Sequence, residues 1–506
     1  MALLHQPDQL MAAGSVAVVI FIAILSIGLY SLGSVIYRVT FHPLAKVPGP
    51  KLYAISQLPY LFHLVRGDWT AVLKDFHDYY GPVVRFAPND VSFTTDDALK
   101  KIYGHKTVES DTFEKDLRMY RQNRPVRSII TSDNEGHRRM RRLIAHAFSE
   151  KALRNQQQVL DHYIESFIRG LTERSRQGAD VDIVAWYNFA TFDLIGDLAF
   201  GKSFGCLENG DYHPWVRKIF DGVKFVAYGQ AMARLGLKRW ATVLVPPSSR
   251  KSAEQHMEFS RRTALARIDS GNTVREDFMS YILRHNDDEK GMSKLEITEN
   301  SATLILAGSE TTATLLSGAT FLLLKNRDKY EMLTKEIRSA FESAEDITLG
   351  KVNQLEYLLA VLNESLRMYP PVPAGLPRLA PAAGEFIEGY WIPANTSVSV
   401  PHWSAYRSAG NFREPDSFIP ERWLNDPLYA SDVKSILQPF SYGPRNCIGK
   451  NLAYAEMRLI LTHLLWKFDL ELDPGCNSWN IQKVYILWEK SSLKVKLTEV
   501  IRAEKE

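Results

Sequence analysis

The chain has 506 residues, 45% hydrophobic and 24% charged, an ordinary globular composition with enough length to bury a large core. Its 61 basic and 58 acidic residues leave a net charge of +3, too small to argue for nucleic acid or an acidic partner. Three widely spaced cysteines, Cys206, Cys447 and Cys476, without a C-x-x-C pair, exclude a disulfide framework and a four-cysteine zinc site but allow one lone thiolate ligand.

From Gln9 to Tyr37 no residue is formally charged, and Val16 to Leu32 is dense in Val, Ile, Leu, Phe and Ala. That suffices to cross a bilayer, which takes ~20 apolar residues. The leader carries only Asp8 and the run exceeds the ~7 to 15 apolar residues of a cleaved signal, so the segment reads as an anchor. Arg38, Lys46 and Lys51 come after it while no Lys or Arg precedes it, which by the positive-inside rule puts the rest of the chain in the cytoplasm. There the thiols stay reduced, and the sequons at Asn363 and Asn395 face the wrong compartment for glycosylation. Pro43, Pro48, Gly49 and Pro50 then make a stiff hinge that sets the tilt of the body on the membrane. The expected division is 1–12 lumenal N-terminus, 13–37 transmembrane anchor, 38–55 proline-rich hinge and 56–506 catalytic domain.

Helical periodicity dominates from about Trp69 to Lys335, with short β-like runs at Val83 to Phe86 and Thr396 to Val400. The predicted class is mostly α with small β-sheets. Asn286 to Lys290 reads as a solvated loop. After it, Ser293 and Glu296 form a capping box that opens a helix running to about Lys325, roughly 50 Å at ~1.5 Å per residue. Ala307, Gly308, Ser309, Glu310, Thr311 and Thr312 stand halfway along, between apolar runs. Gly, Ser and Thr weaken a helix interior and an acid conflicts with burial, a pattern that marks either a functional site or an exposed polar stripe.

A second helix over Gln354 to Met368 must end before Pro370 and carries Glu364 and Arg367 on one face. That pair is either a solvated contact or, given its apolar surroundings, a buried bidentate one with a further cation. The sharpest signal is Phe440 to Gly449, where Gly443 and Pro444 turn the chain and Cys447 stands just before a helix running to about Trp466. The helix dipole and free N–H groups there favour a thiolate, against the alternative of a small buried hydrophobe.

Phe440 to Gly449 matches F-x-x-G-x-R-x-C-x-G, Glu364 and Arg367 match E-x-x-R, Pro420, Glu421 and Arg422 match P-E-R, and Ala307 to Thr312 matches (A/G)-G-x-(D/E)-T-(T/S). In these motifs, in their order and spacing, the chain resembles the cytochrome P450 family over everything after the hinge. The resemblance implies the cytochrome P450 fold, haem b ligated through Cys447, and a buried network of Glu364, Arg367 and Arg422. It implies propionate contacts from Arg445, Arg378, Arg141 and His137, the last two standing where the family has W-x-x-x-R, with Phe440 beside the haem. It further implies oxygen activation by Glu310 and Thr311. A thiolate opposite dioxygen favours O–O cleavage, and an acid with an alcohol can pass protons through water.

The expected reaction is insertion of one oxygen atom into a C–H or C=C bond. Neither a Rossmann fingerprint nor an appended flavin domain is found after Gly449, so NADPH electrons would come through a separate membrane-bound flavoprotein reductase. Arg138, Arg139, Arg142 and Lys450 form either its docking face or a merely solvated one. The anchor, the Phe41 to Leu44 hinge and the run Asp193 to Glu208 resemble filamentous-fungal enzymes of secondary metabolism in the endoplasmic reticulum membrane. That likeness implies a terpenoid, polyketide or alkaloid substrate, met by Asp111 to Arg124, Trp215 to Met232, the distal helix and Val372 to Leu376. A reductase-independent haem-thiolate isomerase or dehydratase and a non-catalytic haem sensor are the alternatives, and neither needs the pair Glu310 and Thr311.

Overall fold

A computed structural model of the chain describes residues 6–108, 111–120, 125–237, 247–270, 277–286 and 291–501. Part of the substrate segment expected up to Arg124 and most of the Asn286 to Lys290 loop lie outside the described residues.

Helix α1 (Gln6–Ile36) is apolar, and from Val16 to Gly33 every residue is exposed. It is long and apolar enough to cross a membrane, and it continues into a π turn at Tyr37–Phe41. The proline-rich stretch after it is docked rather than loose. Leu44 and Val47 are buried, and Arg85 Nη1 donates to the carbonyls of Arg38 (2.9 Å) and Leu44 (3.3 Å). A Cβ on Gly49 would stand 2.2 Å from the Arg85 carbonyl oxygen, so only glycine lets the chain pass there.

The body continues with α2 (Trp69–Tyr80), β1 (Val83–Ala87), β2 (Asp90–Phe93), β3 (Glu114–Lys115), α3 (Asn134–Ile144), α4 (Gln157–Arg176), β4 (Val181–Asp182), α5 (Ile183–Phe200), α6 (Pro214–Arg234) and α7 (Pro247–Asp269). Then come α8 (Lys294–Lys325), α9 (Arg327–Ala340), α10 (Glu356–Met368), β5 (Arg378–Leu379), β6 (Glu385–Ile387), β7 (Tyr390–Ile392), β8 (Ser397–Ser399), α11 (Lys450–Lys467), β9 (Phe468–Leu472) and β10 (Lys494–Glu499). Among the described residues there are three sheets, ordered β1-β2-β8-β5-β3, β4-β10-β9 and β6-β7. The family-like class expected from the sequence, mostly α with small sheets, is the one found.

Helix α8 starts at the capping box, with Ser293 Oγ accepting from Glu296 N at 3.2 Å and Glu296 Oε2 accepting from Ser293 N at 2.9 Å. It runs through the core against α5, which is buried on nearly every face, as a helix apolar all round must be. Gly308 lets α5 pack closely against α8, since a Cβ there would meet Ile195 Cδ1 at 2.8 Å. The Tyr187 hydroxyl and Thr320 Oγ1, 2.7 Å apart, join them again further along.

Candidate active site

The loop before α11 is shaped by backbone first. Gly443 has φ +72°, and a Cβ on it would stand 2.0 Å from the Tyr103 carbonyl oxygen, so the turn requires glycine. Cys447 N donates to the Phe440 carbonyl at 2.7 Å, closing the loop, and the Phe440 ring packs 5.3 Å from that of Tyr454. The Cys447 side chain reaches accessible surface, yet burial pushes its thiol up, which fits a sulfur facing an internal space rather than bulk solvent. The N–H of Gly449 and the charges of Arg141 and Lys450 pull the other way, as the helix start predicts, but burial outweighs them. Gly449 itself is not sterically required, since its nearest neighbours would be 3.8 Å or more from an added Cβ.

Beside this loop lies a cluster of cations. Arg378, on β5, is buried; its Nε has no hydrogen-bond partner among the protein atoms, and its guanidinium lies 5.6 Å from the Tyr103 ring centre. Arg445 bonds Asn134 Oδ1 (2.8 Å) and the Ser132 carbonyl (3.1 Å) through Nη2, while Nη1 is buried without a partner. Burial and the Arg378 charge lower its pKa to about 10. Lys115, on β3, packs 4.4 Å from the Tyr120 ring and is held well below the usual lysine range by burial and by Arg378 and Arg445. Buried His137 is pushed down to about 3 by desolvation and the surrounding cations, so it stands there neutral. Among the described residues, neither Lys115, Arg378 nor Arg445 forms an ion pair. Like charges gathered and desolvated in this way are stable only with an anion among them. A flat group bearing two carboxylates beside a cysteine fits that requirement, so the residues present suit haem.

Arg141 is placed differently. Its Nη1 and Nη2 donate to the backbone and side-chain oxygens of Asn446, both at 2.6 Å, so it braces the cysteine loop. In the basic cluster, Arg139 is turned inward onto Glu296 and the Gly291 carbonyl, whereas Arg138, Arg142 and Lys450 are exposed.

In the middle of α8, Ala307 is exposed and Thr303, Leu306, Gly308 and Thr311 are half-buried, while the other residues from Ser301 to Thr312 are buried. Three positions at i, i+4 and i+8 make one stripe, and a stripe open in the midst of a core lines an internal cavity. Thr311 Oγ1 donates to the Ala307 carbonyl at 2.7 Å, which leaves its lone pairs for water. Glu310 is buried instead, with Oε1 accepting from Lys490 Nζ. Behind it, Glu456 on α11 is buried, bonded to Thr312 and raised to about 8 by desolvation. Met119, Gln230 of α6, and Ala374 and Gly375 line one pocket with Tyr60 and Arg234, bringing three of the expected substrate segments together.

The E-x-x-R helix makes a fully buried network. Glu364 accepts from Arg367 Nε (2.9 Å) and Nη2 (2.8 Å), Arg422 Nε (3.2 Å), Trp423 Nε1 (2.9 Å) and Ile419 N (2.8 Å). Arg422 also pairs with Asp432, and Arg367 reaches the carbonyls of Tyr406 (2.9 Å) and Ser417 (2.8 Å). Sequence reasoning did not single out Lys115, Asp432, Glu456 or Lys490. Only Glu456 carried a local signal, an acid on the apolar face of α11.

A family model described as "Cytochrome P450" matches residues 48–497. The chain is 44% identical over 465 residues to "Cytochrome P450 monooxygenase astA" of Talaromyces wortmannii, covering 91% of this chain and 93% of that one. It is 44% identical over 481 residues to "Cytochrome P450 monooxygenase lcsI" of Purpureocillium lilacinum, covering 94% and 93%. To "Averantin hydroxylase" of Dothistroma septosporum it is 42% identical over 476 residues, covering 93% and 89%.

Proposed function

This chain belongs to the cytochrome P450 family, and on that premise we propose that it is a membrane-anchored haem-thiolate monooxygenase acting on a hydrophobic secondary-metabolite intermediate. The observation that carries the reading is the cluster of buried Arg378 with half-buried Lys115 and Arg445, none of which forms an ion pair among the described residues, on and beside the loop that holds Cys447. When bound, haem supplies oxygen activation, with the thiolate ligand favouring O–O cleavage. Cys447 would hold its iron, Arg378, Arg445 and Lys115 its propionates, and neutral His137 would add a hydrogen bond.

The protein's own share of the reaction is binding, water control and proton supply. The stripe of Ala307 and Thr311 keeps the cavity wall small, and the Thr311 hydroxyl orders water at its free lone pairs. Glu310 feeds protons toward that water. Relatives named as monooxygenases and a hydroxylase support oxygen insertion over isomerisation or haem sensing. Electrons would come from NADPH through a separate flavoprotein reductase, docked near exposed Arg138, Arg142 and Lys450. Helix α1 would span the endoplasmic reticulum membrane once, with the catalytic domain, from about residue 56 onward, in the cytoplasm.

The test is Thr311→Ala with purified reductase. Helix propensity improves, so folding and haem content hold. NADPH should still be consumed, with more peroxide and less oxygenated product per NADPH. Unchanged coupling would remove Thr311 from proton delivery, and turnover without reductase would overturn the monooxygenase reading.

A further inference from the structure

Glu310 does not stand alone on α8. Lys490 Nζ donates to its Oε1 and, at 2.6 Å, to Thr314 Oγ1, which itself lies 3.4 Å from Oε1 one helical turn on. The two charged side chains are 4% and 3% exposed. The second oxygen, Oε2, is buried and has no partner among the protein atoms. Among the described residues, the other titratable groups facing Glu310 are Tyr212 and Tyr369, both held above the usual tyrosine range by burial, with Glu310 contributing to the rise in each. Their hydroxyls are engaged elsewhere, by Asn188 Nδ2 at 3.1 Å and Gln482 Oε1 at 2.6 Å. Lys490 is therefore the cation that answers the Glu310 charge.

Its segment holds it there. Trp488 Nε1 donates to the Pro370 carbonyl at 2.8 Å, Trp479 Nε1 to the Ser491 carbonyl at 2.8 Å, and Leu493 N to Asp182 Oδ1 at 3.2 Å. A buried ion pair is a costly device, and removing one partner strands the other charge.

We propose that Lys490 is the positioning residue of proton delivery: it keeps Glu310 ionised and fixes Oε1, leaving Oε2 as the oxygen that takes up and hands on protons. The proposal rests on the reading of Glu310 as the proton-delivering acid. Without Lys490, the buried carboxylate lacks a counter-charge and takes a proton instead. The acid then cannot accept a further proton at neutral pH, and delivery falters.

The experiment uses the full-length haem-loaded enzyme with Lys490→Met, Lys490→Gln, Lys490→Arg and Glu310→Gln. Infrared spectra at neutral pH should show a protonated-carboxyl band in Lys490→Met and Lys490→Gln that vanishes when Glu310→Gln is added. Lys490→Arg, which keeps the charge, should show none. With reductase and NADPH, the peroxide released per NADPH should move several-fold in Lys490→Met, in the same direction as in Glu310→Gln, and return toward wild type in Lys490→Arg. If Lys490→Met fails to retain haem, Lys490→Gln, which keeps a bond to Thr314 without the charge, decides alone. Absence of the band together with wild-type coupling, while Glu310→Gln uncouples, overturns the role of Lys490 and leaves that of Glu310 standing. Wild-type coupling in Glu310→Gln overturns both.

Discussion

Replacing Glu364 with Gln tests the energetic weight of the buried network. The carboxylate receives five hydrogen bonds from Arg367, Arg422, Trp423 and Ile419, and neither it nor the two arginines is exposed at all. Gln keeps the shape and one acceptor oxygen. It presents an NH2 group to donors, however, and takes away the charge that balances Arg367. Removing one partner of a buried pair costs ~3–5 kcal/mol. Asp432 still balances Arg422, which favours the lower end, so about 3 kcal/mol is expected, or ~100-fold in the unfolding equilibrium. Urea unfolding, followed by loss of the thiolate band of the reduced CO complex, should show a clearly lower midpoint. Arg367→Met alone should cost a similar amount, and the double variant at least ~1 kcal/mol less than the sum, because the second change removes the charge that Glu364→Gln had stranded. A loss below ~1 kcal/mol for Glu364→Gln, or strict additivity, would refute the argument that these charges stabilise one another.

Deleting residues 1–36 should free the body from membranes with haem content unchanged, by sedimentation and CO spectra, whereas deletion through Val47 should destabilise it by removing Leu44 and the carbonyls that Arg85 bonds. Loss of haem on the shorter deletion would make α1 part of the folded body. Cys447→Ala should abolish the thiolate-type Soret band of the CO complex and Cys447→His should shift it toward a globin-like position. A thiolate spectrum surviving in Cys447→Ala would assign the ligand to Cys206 or Cys476. Glu456 supplies a pH signature: its pKa is raised from 4.5 to about 8, so between those values the folded state holds a proton the unfolded state has lost, and stability falls as pH rises across that window. Urea midpoints from pH 5 to 8 should therefore decline less in Glu456→Gln than in wild type, and equal slopes would rule out a neutral buried Glu456.

The sequence was most informative where chemistry is local. The capping box, the limits of α8, the end of α10 before Pro370 and the glycine turn before Cys447 are all set by neighbours within a few residues. It was silent where distant segments meet. Lys490 reaches Glu310 across 180 residues, and Lys115 joins Arg378 and Arg445 through the β3–β5 pairing, with nothing in its own surroundings to mark it. Trp423 directly follows Pro420, Glu421 and Arg422, and no local pattern foretells that its indole N–H bonds Glu364. Gly308 reads as part of the oxygen-handling motif, and its immediate steric reason is the approach of Ile195.

The Glu364 network also bears on how this enzyme can be recombined with its relatives. Its members come from three stretches, 364–367, 419–423 and 432, and fully buried opposite charges must all be present or all be absent. A chimaera whose junction falls between 368 and 418 inherits half of the set from each parent. It folds well only when both parents place the same charges at the same depth, down to whether the residue after Arg422 offers an indole N–H. Junctions outside 364–432 leave this network whole, although one that falls between 310 and 490 still divides the buried pair of Glu310 and Lys490.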